Sequence, residues 1–378
     1  MKIPLAAPEI TEDDIEAVAQ VLRTSRLSLG PKLEEFEGCV STYIGARNAV
    51  AVSSGTSALH LCMRAMGVKP GDEVIVPSFA FIAVANAVRY EGGIPVFADI
   101  DPKTLDIGPA QIEEVISSRT VGIVVVHTFG CPADLAEILR VARRHGLFVI
   151  EDACEALGAE YDGRKVGIHG DAGVFGFYPN KQITTGEGGM LVTNDKRTAH
   201  FARQLRNQGR GDEEDWFEHT ELGYNYRIPE MNCALGIEQL KRIEQILAKR
   251  EGVAGAYNNR LRSCRDVILP IIDFPNRKIS WFGYVVRLSP SLEREHRDWI
   301  CRELIAREIG CGRYFAPIHL QPAYRKVSGA VPSLPVTEFA ADRVLALPFF
   351  NGLNEAQIAD VCSTLLALLH QCRERESG

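Results

Sequence analysis

Lys181 stands in FYPNKQITTGEGGMLVTND, residues 177–195, between an aromatic-proline turn and a glycine cluster. A lysine amine held in a partly desolvated pocket loses proton affinity and becomes a nucleophile able to form a Schiff base. Gly186, Gly188 and Gly189 would let backbone approach a flat ligand closely. Three other stretches offer matching chemistry. In VSSGTS, residues 52–57, an apolar run breaks into hydroxyl residues and a helix start, whose free N–H groups suit a phosphate. In VIEDACE, residues 149–155, Asp152 ends a very apolar strand, where an ionised carboxylate needs a cationic partner. In PSFAF, residues 77–81, Phe81 follows a strand end, where a ring can cover a planar aromatic ligand.

Singly, each stretch has an ordinary reading: a solvated loop lysine, a serine N-cap, an aspartate at a helix start, a core phenylalanine. Together they supply an amine, a carboxylate, a phosphate cup and an aromatic lid at four strand ends. That set matches pyridoxal 5'-phosphate. The lysine would bond its aldehyde, the carboxylate would keep its pyridine nitrogen protonated so that the ring serves as an electron sink, and the helix start would anchor its phosphate.

The elements that must position these residues read as parallel strands crossed by helices. Strands are expected at Glu73–Pro77, Ile94–Ala98, Gly122–Val126, Leu147–Glu151 and Met190–Thr193, and helices at Thr56–Met66, Ile82–Tyr90, Pro109–Ser117 and Pro132–Arg144. In such a doubly wound α/β layout ligands collect at the carboxyl ends of the strands. A long amphipathic helix is expected from Pro229 to Arg250, opened by its proline. Beyond it come a strand at Trp281–Leu288 and helices at Glu293–Glu308 and Glu355–Gln371. This pattern predicts a large α/β domain over residues 1–250 and a smaller α+β domain over 251–378.

Composition excludes several classes of function. A formal net charge of −7 gives no basic surface for a nucleic-acid backbone. The ten cysteines form no CxxC pair and read as reduced, buried thiols; the nine histidines show no metal-ligand spacing. No apolar stretch is long enough to span a bilayer, and the acidic start is unlike a signal peptide, so a cytoplasmic protein is expected. Arg203, Arg206 and Arg210, with Gly211–Asp215, admit either a contact with a nucleotide diphosphate or a solvated surface of alternating charge.

Over nearly its whole length the sequence resembles the DegT/DnrJ/EryC1/StrS sugar aminotransferases. The resemblance is carried by SRLSLGPKLEEFE, SSGTSALHLCMRAMGVKPGDEVIVPSFAFIAVANAV, EDACEALGAEYDGRKVG, NKQITTGEGGM, LGYNYRIPEMNCALG and FAPIHLQPAY. It implies a fold-type I pyridoxal-phosphate enzyme with a mostly parallel central sheet flanked by helices. It further implies Lys181 as the Schiff-base lysine, Asp152 facing the pyridine nitrogen, Phe81 stacked on the ring, Gly55, Thr56 and Ser57 in the phosphate cup, and Glu155 beside the phenolic oxygen. Asn225 would reach the cofactor phosphate of a neighbouring subunit, implying a homodimer with shared sites. Tyr226 and Arg227 fall on the substrate side, and His319 would be a substrate-side residue supplied by the partner chain. L-glutamate would be the amino donor and a nucleotide-linked keto sugar the acceptor, a 4-keto-6-deoxy sugar in the perosamine-synthase-like branch. A 3-keto sugar or cyclitol aminotransferase and a cofactor-binding regulator without turnover are the alternatives. One departure stands out: where the family has a phosphate-binding serine, this chain has Gly176, so weaker cofactor retention is expected.

Overall fold

The computed structural model describes residues 2–211, 218–326 and 331–377. Its main sheet has seven strands: β1 (Asn48–Val52), β2 (Glu73–Pro77), β3 (Ile94–Ala98), β4 (Thr120–Val126), β5 (Phe148–Asp152), β8 (Ala172–Gly176) and β9 (Gly189–Thr193). Their order is β1-β9-β8-β5-β4-β2-β3, and β9 alone runs against the rest. Between β5 and β8 a hairpin of β6 (Glu160–Tyr161) and β7 (Arg164–Lys165) pairs with β11 (Arg277–Lys278). A third sheet joins β10 (Val267–Ile268), β12 (Tyr284–Leu288) and β13 (Val344–Leu347).

Helices α1 (Glu12–Leu22), α2 (Pro31–Ile44), α3 (Gly55–Ala65), α4 (Ala83–Tyr90), α5 (Pro109–Val115), α6 (Leu135–His145) and α7 (Lys196–Arg206) accompany the main sheet. They are followed by α8 (Glu230–Lys241), α9 (Ile243–Leu261), α10 (Arg294–Ala306), α11 (Pro322–Arg325), α12 (Pro335–Ala341) and α13 (Glu355–Ser377). Among the described residues no helix is long and apolar enough to cross a membrane.

The central strands are apolar throughout because both faces of the sheet are covered. Alternation divides them cleanly. Ile75, Ile123 and Val125 enter one core with Phe36 of α2, Ile138 of α6 and Ile237 of α8. Val74, Val76 and Val124 enter the opposite core with Leu59 of α3, Val84 of α4 and Leu205 of α7. A further core gathers Ile3, the second half of α9, β12, α10 and α13.

Several boundaries differ from the sequence expectation. β5 ends one residue later, so Asp152 is its last member. The helix expected from Pro132 begins only at Leu135, after a turn at Thr128–Gly130 and an extended Cys131. The expected long helix breaks in two at Arg242, which has φ −103° and ψ 9° and reaches Asp14 Oδ2 at 2.6 Å. Its halves serve different cores: Ile237 and Leu240 of α8 lie under the main sheet, whereas Val253, Tyr257 and Leu261 of α9 join the third core. The expected strand at Trp281 narrows to β12, while residues 280–282 pair with residues 129–130 through Ser280 N to Gly130 O and Phe282 N to Phe129 O.

Candidate active site

Lys181 sits in a loop that leaves β8 and returns as β9. The loop closes on itself: Phe177 N donates to Gly188 O at 2.9 Å, and Thr185 N and Thr184 Oγ1 each donate to Phe177 O at 3.0 Å. The Phe177 ring anchors the base against Phe36, 5.3 Å between centroids. Gly186 takes φ 81°, a left-handed conformation that suits glycine. Gln182 points the other way and donates to Glu155 O at 2.6 Å and Ser280 O at 3.0 Å. The Lys181 side chain is thereby 16% exposed, with Nζ 3.5 Å from Glu155 Oε1 and 4.2 Å from the centre of the Phe282 ring.

Two carboxylates follow from the end of β5. Asp152 is buried and its Oδ1 accepts from Cys154 N at 3.0 Å. One turn on, buried Glu155 accepts from Phe129 N at 3.0 Å through Oε2. Burial raises the Glu155 carboxyl above its ordinary range, and the Lys181 ammonium partly offsets this. Phe129 holds φ 56°, a conformation costing a phenylalanine roughly 1–2 kcal/mol. Its stacking on Phe315, 5.5 Å apart at 16°, keeps it there.

The third component is the start of α3. Ser54 caps it, its Oγ accepting from Ser57 N at 3.0 Å. The N–H groups of Gly55 and Thr56 have no acceptor among the described residues, which leaves two donors and the positive helix end for an anion. Gly55 has no room for a side chain, since a Cβ would lie 2.8 Å from Cys154 Sγ. Gly189 is equally tight against the backbone of Ser54 and Gly55. These absences of Cβ bring the helix start, β8 and β9 together as one cradle.

A cavity of about 520 Å³ joins the three components, within the roughly 300–1,000 Å³ of small-molecule sites. Gly55, Thr56, Phe81, Asp152, Glu155 and Lys181 all line it. Phe81 is 63% exposed, a ring with an open face rather than a core residue. An anion cradle, a carboxylate, an amine and an exposed ring around one space fit pyridoxal 5'-phosphate, and Gly176, also at the wall, presents only backbone to it.

Five expected residues lie elsewhere. Ser57 is enclosed behind the cradle, its Oγ 3.0 Å from Ser53 Oγ and 2.9 Å from Ser54 Oγ. Asn225 is exposed on a segment bridged to Asn207. Tyr226 stacks on Tyr224 and meets His60 Nδ1 through its hydroxyl at 2.9 Å, while Arg227 donates to Asn207 Oδ1 at 3.0 Å. Ser53 N donates to Tyr226 O at 2.9 Å, which lays this segment along the rim of the cradle. His319 requires correction as a substrate-facing group: its side chain is fully enclosed, with Nδ1 2.6 Å from Ser78 Oγ and Nε2 3.2 Å from Glu338 Oε1. Of the three arginines expected near a nucleotide or on a solvated face, Arg203 and Arg206 lie in α7 and both meet Glu37, and Arg206 is buried on Ala51 O. The acidic run Asp212–Asp215 lies outside the described residues.

Sequence reasoning passed over other lining residues. Tyr178, Asn180 and Glu187 were within the quoted lysine stretch and could have been found by adjacency. Phe282 and Tyr314 arrive from over a hundred residues away with no local signal, and Phe315 opens the FAPIHLQPAY stretch, in which only His319 was singled out.

The chain is similar to known proteins over almost its whole length. The chain is 41% identical over 367 residues to GDP-perosamine synthase of Caulobacter vibrioides, covering 96% of this chain and 97% of the relative. It is 35% identical over 370 residues to the spore coat polysaccharide biosynthesis protein SpsC of Bacillus subtilis, covering 95% of each. The crystal structure of the aminotransferase TlmJ from Streptoalloteichus hindustanus superposes with a TM-score of 0.92 at 32% identity, covering 98% of this chain and 100% of that one. A sequence model described as the DegT/DnrJ/EryC1/StrS aminotransferase family matches residues 8–366, and the chain belongs to that family of pyridoxal-phosphate-dependent aminotransferases.

Proposed function

We propose that this enzyme moves an amino group from L-glutamate to a nucleotide-linked 4-keto-6-deoxy sugar, as a step in polysaccharide or glycoconjugate biosynthesis. The likeness to GDP-perosamine synthase over 96% of the chain carries the choice of acceptor. Pyridoxal 5'-phosphate, when bound, supplies an aldehyde to carry the amine and a ring to hold electron density.

The residues divide the remaining work. The N–H groups of Gly55 and Thr56 would hold the phosphate, and Phe81 would cover one face of the ring. Asp152, shielded at the end of β5, would hold a proton on the pyridine nitrogen. Lys181 Nζ would bond the cofactor, take a proton from the α-carbon of glutamate and return one to the sugar carbon. Glu155, 3.5 Å away, steadies that amine while charged and can donate a hydrogen bond while protonated.

The charge of the cavity supports a homodimer. Its charged lining residues are Asp152, Glu155, Glu187 and Lys181, a poor match for a sugar nucleotide carrying a diphosphate. Among the described residues the lining supplies no cation besides Lys181. A second copy would bring more, with Asn225 and Arg227 as candidates, and would cover Leu222, 78% exposed beside them. For an enzyme consuming nucleotide sugars we propose a cytoplasmic location.

The test is spectroscopic. L-glutamate should bleach the visible band of the lysine-bound cofactor, and a GDP-linked 4-keto-6-deoxy sugar should restore it with an aminated product seen by mass spectrometry. A bleached band that no 4-keto sugar nucleotide restores would refute the acceptor. A band indifferent to glutamate would refute the donor.

A further inference from the structure

Behind the lysine loop, α9 carries Arg250, which is 3% exposed. Its Nη2 donates to Lys181 O at 3.3 Å and to Asn180 O at 3.4 Å, and its guanidinium lies 5.3 Å from the centre of the Phe349 ring. Among the described residues it forms no ion pair, and its Nε has no hydrogen-bond partner. Burial alone lowers its pKa to about 10, so it remains charged at neutral pH.

A buried guanidinium without a carboxylate is costly, and an apolar side chain of similar size would pack there more cheaply. The charge is instead directed at the two carbonyls that frame the Cα of Lys181. These carbonyls belong to a loop segment that makes no sheet, so they need donors from elsewhere. On the far side, Gln182 Nε2 fixes the next residue to Glu155 O and Ser280 O. Arg250 thus holds the carbonyls of both peptides that flank Lys181, and the side chain of the next residue, Gln182, ties the loop to Glu155 and Ser280.

We infer that Arg250 is a positioning residue for Lys181: it fixes the 180–181 backbone so that the amine leaves its Cα toward Glu155 and Phe282. The inference rests on the reading of Lys181 as the amine that bonds the cofactor. A further observation agrees with it. Phe349 follows β13 and belongs to the third core, so a side chain over 160 residues from the loop holds the guanidinium's face.

Two readouts on the cofactor-free chain test it, with thermal unfolding as the control. The first is the rate at which the visible band appears on adding excess pyridoxal 5'-phosphate. The second needs no cofactor: the pH profile of Lys181 acetylation by acetic anhydride, read by peptide mass spectrometry. Arg250→Met should slow band formation about tenfold to a hundredfold, the range a misplacement of about 1 Å produces, and shift the acetylation profile. Arg250→Lys should recover part of both. Phe349→Leu, which loosens the guanidinium without touching the loop, should move both in the same direction by less, and decides the matter should Arg250→Met fail to fold.

A purely structural arginine would lower the unfolding temperature and leave both readouts at wild-type values per folded chain, which overturns the inference. Unchanged readouts in Phe349→Leu and Arg250→Lys overturn it equally. A wild-type chain that forms no band overturns the cofactor reading instead, and the acetylation profile then still decides whether Arg250 positions the amine.

Discussion

Ser78, His319 and Glu338 form a hydrogen-bonded chain at 2.6 and 3.2 Å, tighter than the 3.5 Å between Lys181 and Glu155. By residue type alone, a serine, a histidine and a glutamate look the more reactive set. The His319 side chain is nevertheless sealed and Ser78 is fully buried, whereas Lys181 and Glu155 open on a cavity. His319 N and Nδ1 both meet Ser78 Oγ, and Ile318 N donates to Ser78 O, so the set ties the 318–320 turn to the end of β2. What separates chemistry from scaffolding here is access and a loose, adjustable contact. A short, saturated network has no capacity left for a substrate.

Lys181→Ala should test that contrast most severely. Amine transfer should fall by more than ~10⁴-fold, beyond what general acid–base catalysis alone contributes, while the unfolding midpoint stays near wild type. A variant retaining a tenth of the activity would erase the distinction between the two regions.

Glu155→Gln should have the next effect, lowering transfer about 10²-fold by removing the charge that faces the amine. It also has a pH signature. Burial raises the folded carboxyl above its ordinary value of 4.5, so the folded chain holds that proton more tightly than the unfolded one. Stability contributed by this group therefore falls as pH rises from 4.5 through the raised value. Denaturant titrations across that range should show a shallower fall in Glu155→Gln.

His319→Ala should behave in the opposite way, costing about 1–3 kcal/mol of stability with little change in cofactor binding. Burial lowers the His319 pKa from 6.5, with Glu338 opposing. The stabilisation is fully present above 6.5 and is lost as pH falls from there through the depressed folded value. Urea midpoints between mildly acidic and neutral pH measure it. A loss of activity exceeding the loss of stability would return His319 to the active site.

Local pattern made Gly55 and Thr56 at a helix start, Asp152 at a strand end and Phe81 just after one legible, and the glycine cluster singled out Lys181, whereas Glu155 was legible only through the family resemblance. β2 and β3 were readable to the residue because continuous apolar runs flanked by turns have one reading in a covered parallel sheet. Three features were not legible. The reversed β9 depends on pairing with β1, about 140 residues away, and its run GMLVT carries no sign of direction. The break at Arg242 has no glycine or proline to announce it and reflects the different cores its flanks enter. The sealing of His319 depends on Ser78, 241 residues distant, just as the role of Arg250 depends on a loop 69 residues earlier.

The smallest effect belongs to Gly176, and it tests how finely the cradle is fitted. A Cβ there would lie 3.3 Å from Cys154 Sγ and 3.4 Å from Cys154 Cβ, tight but not prohibitive. The Cys154 thiol fills the space beside Gly55 and Gly176 that a side chain at either would need. Its pKa is raised well above the ordinary range by burial, so it stays a neutral, compact group beside the phosphate cup. Gly176→Ser therefore combines two opposed changes: a new hydroxyl donor for the phosphate and a contact that pushes Cys154. The single variant should cost about 1 kcal/mol of stability, in keeping with mild overpacking, and alter cofactor affinity only slightly. Cys154→Ala removes the nearer of these contacts, the one to Sγ, so the double variant should bind pyridoxal 5'-phosphate more tightly than the two single changes sum to, with a coupling of about 0.5–3 kcal/mol. Equilibrium binding to the cofactor-free chain, measured for all four proteins, closes that cycle. Additive effects would mean that Cys154 and Gly176 are not fitted to each other, and that the backbone of β8 holds the cradle without help from the thiol.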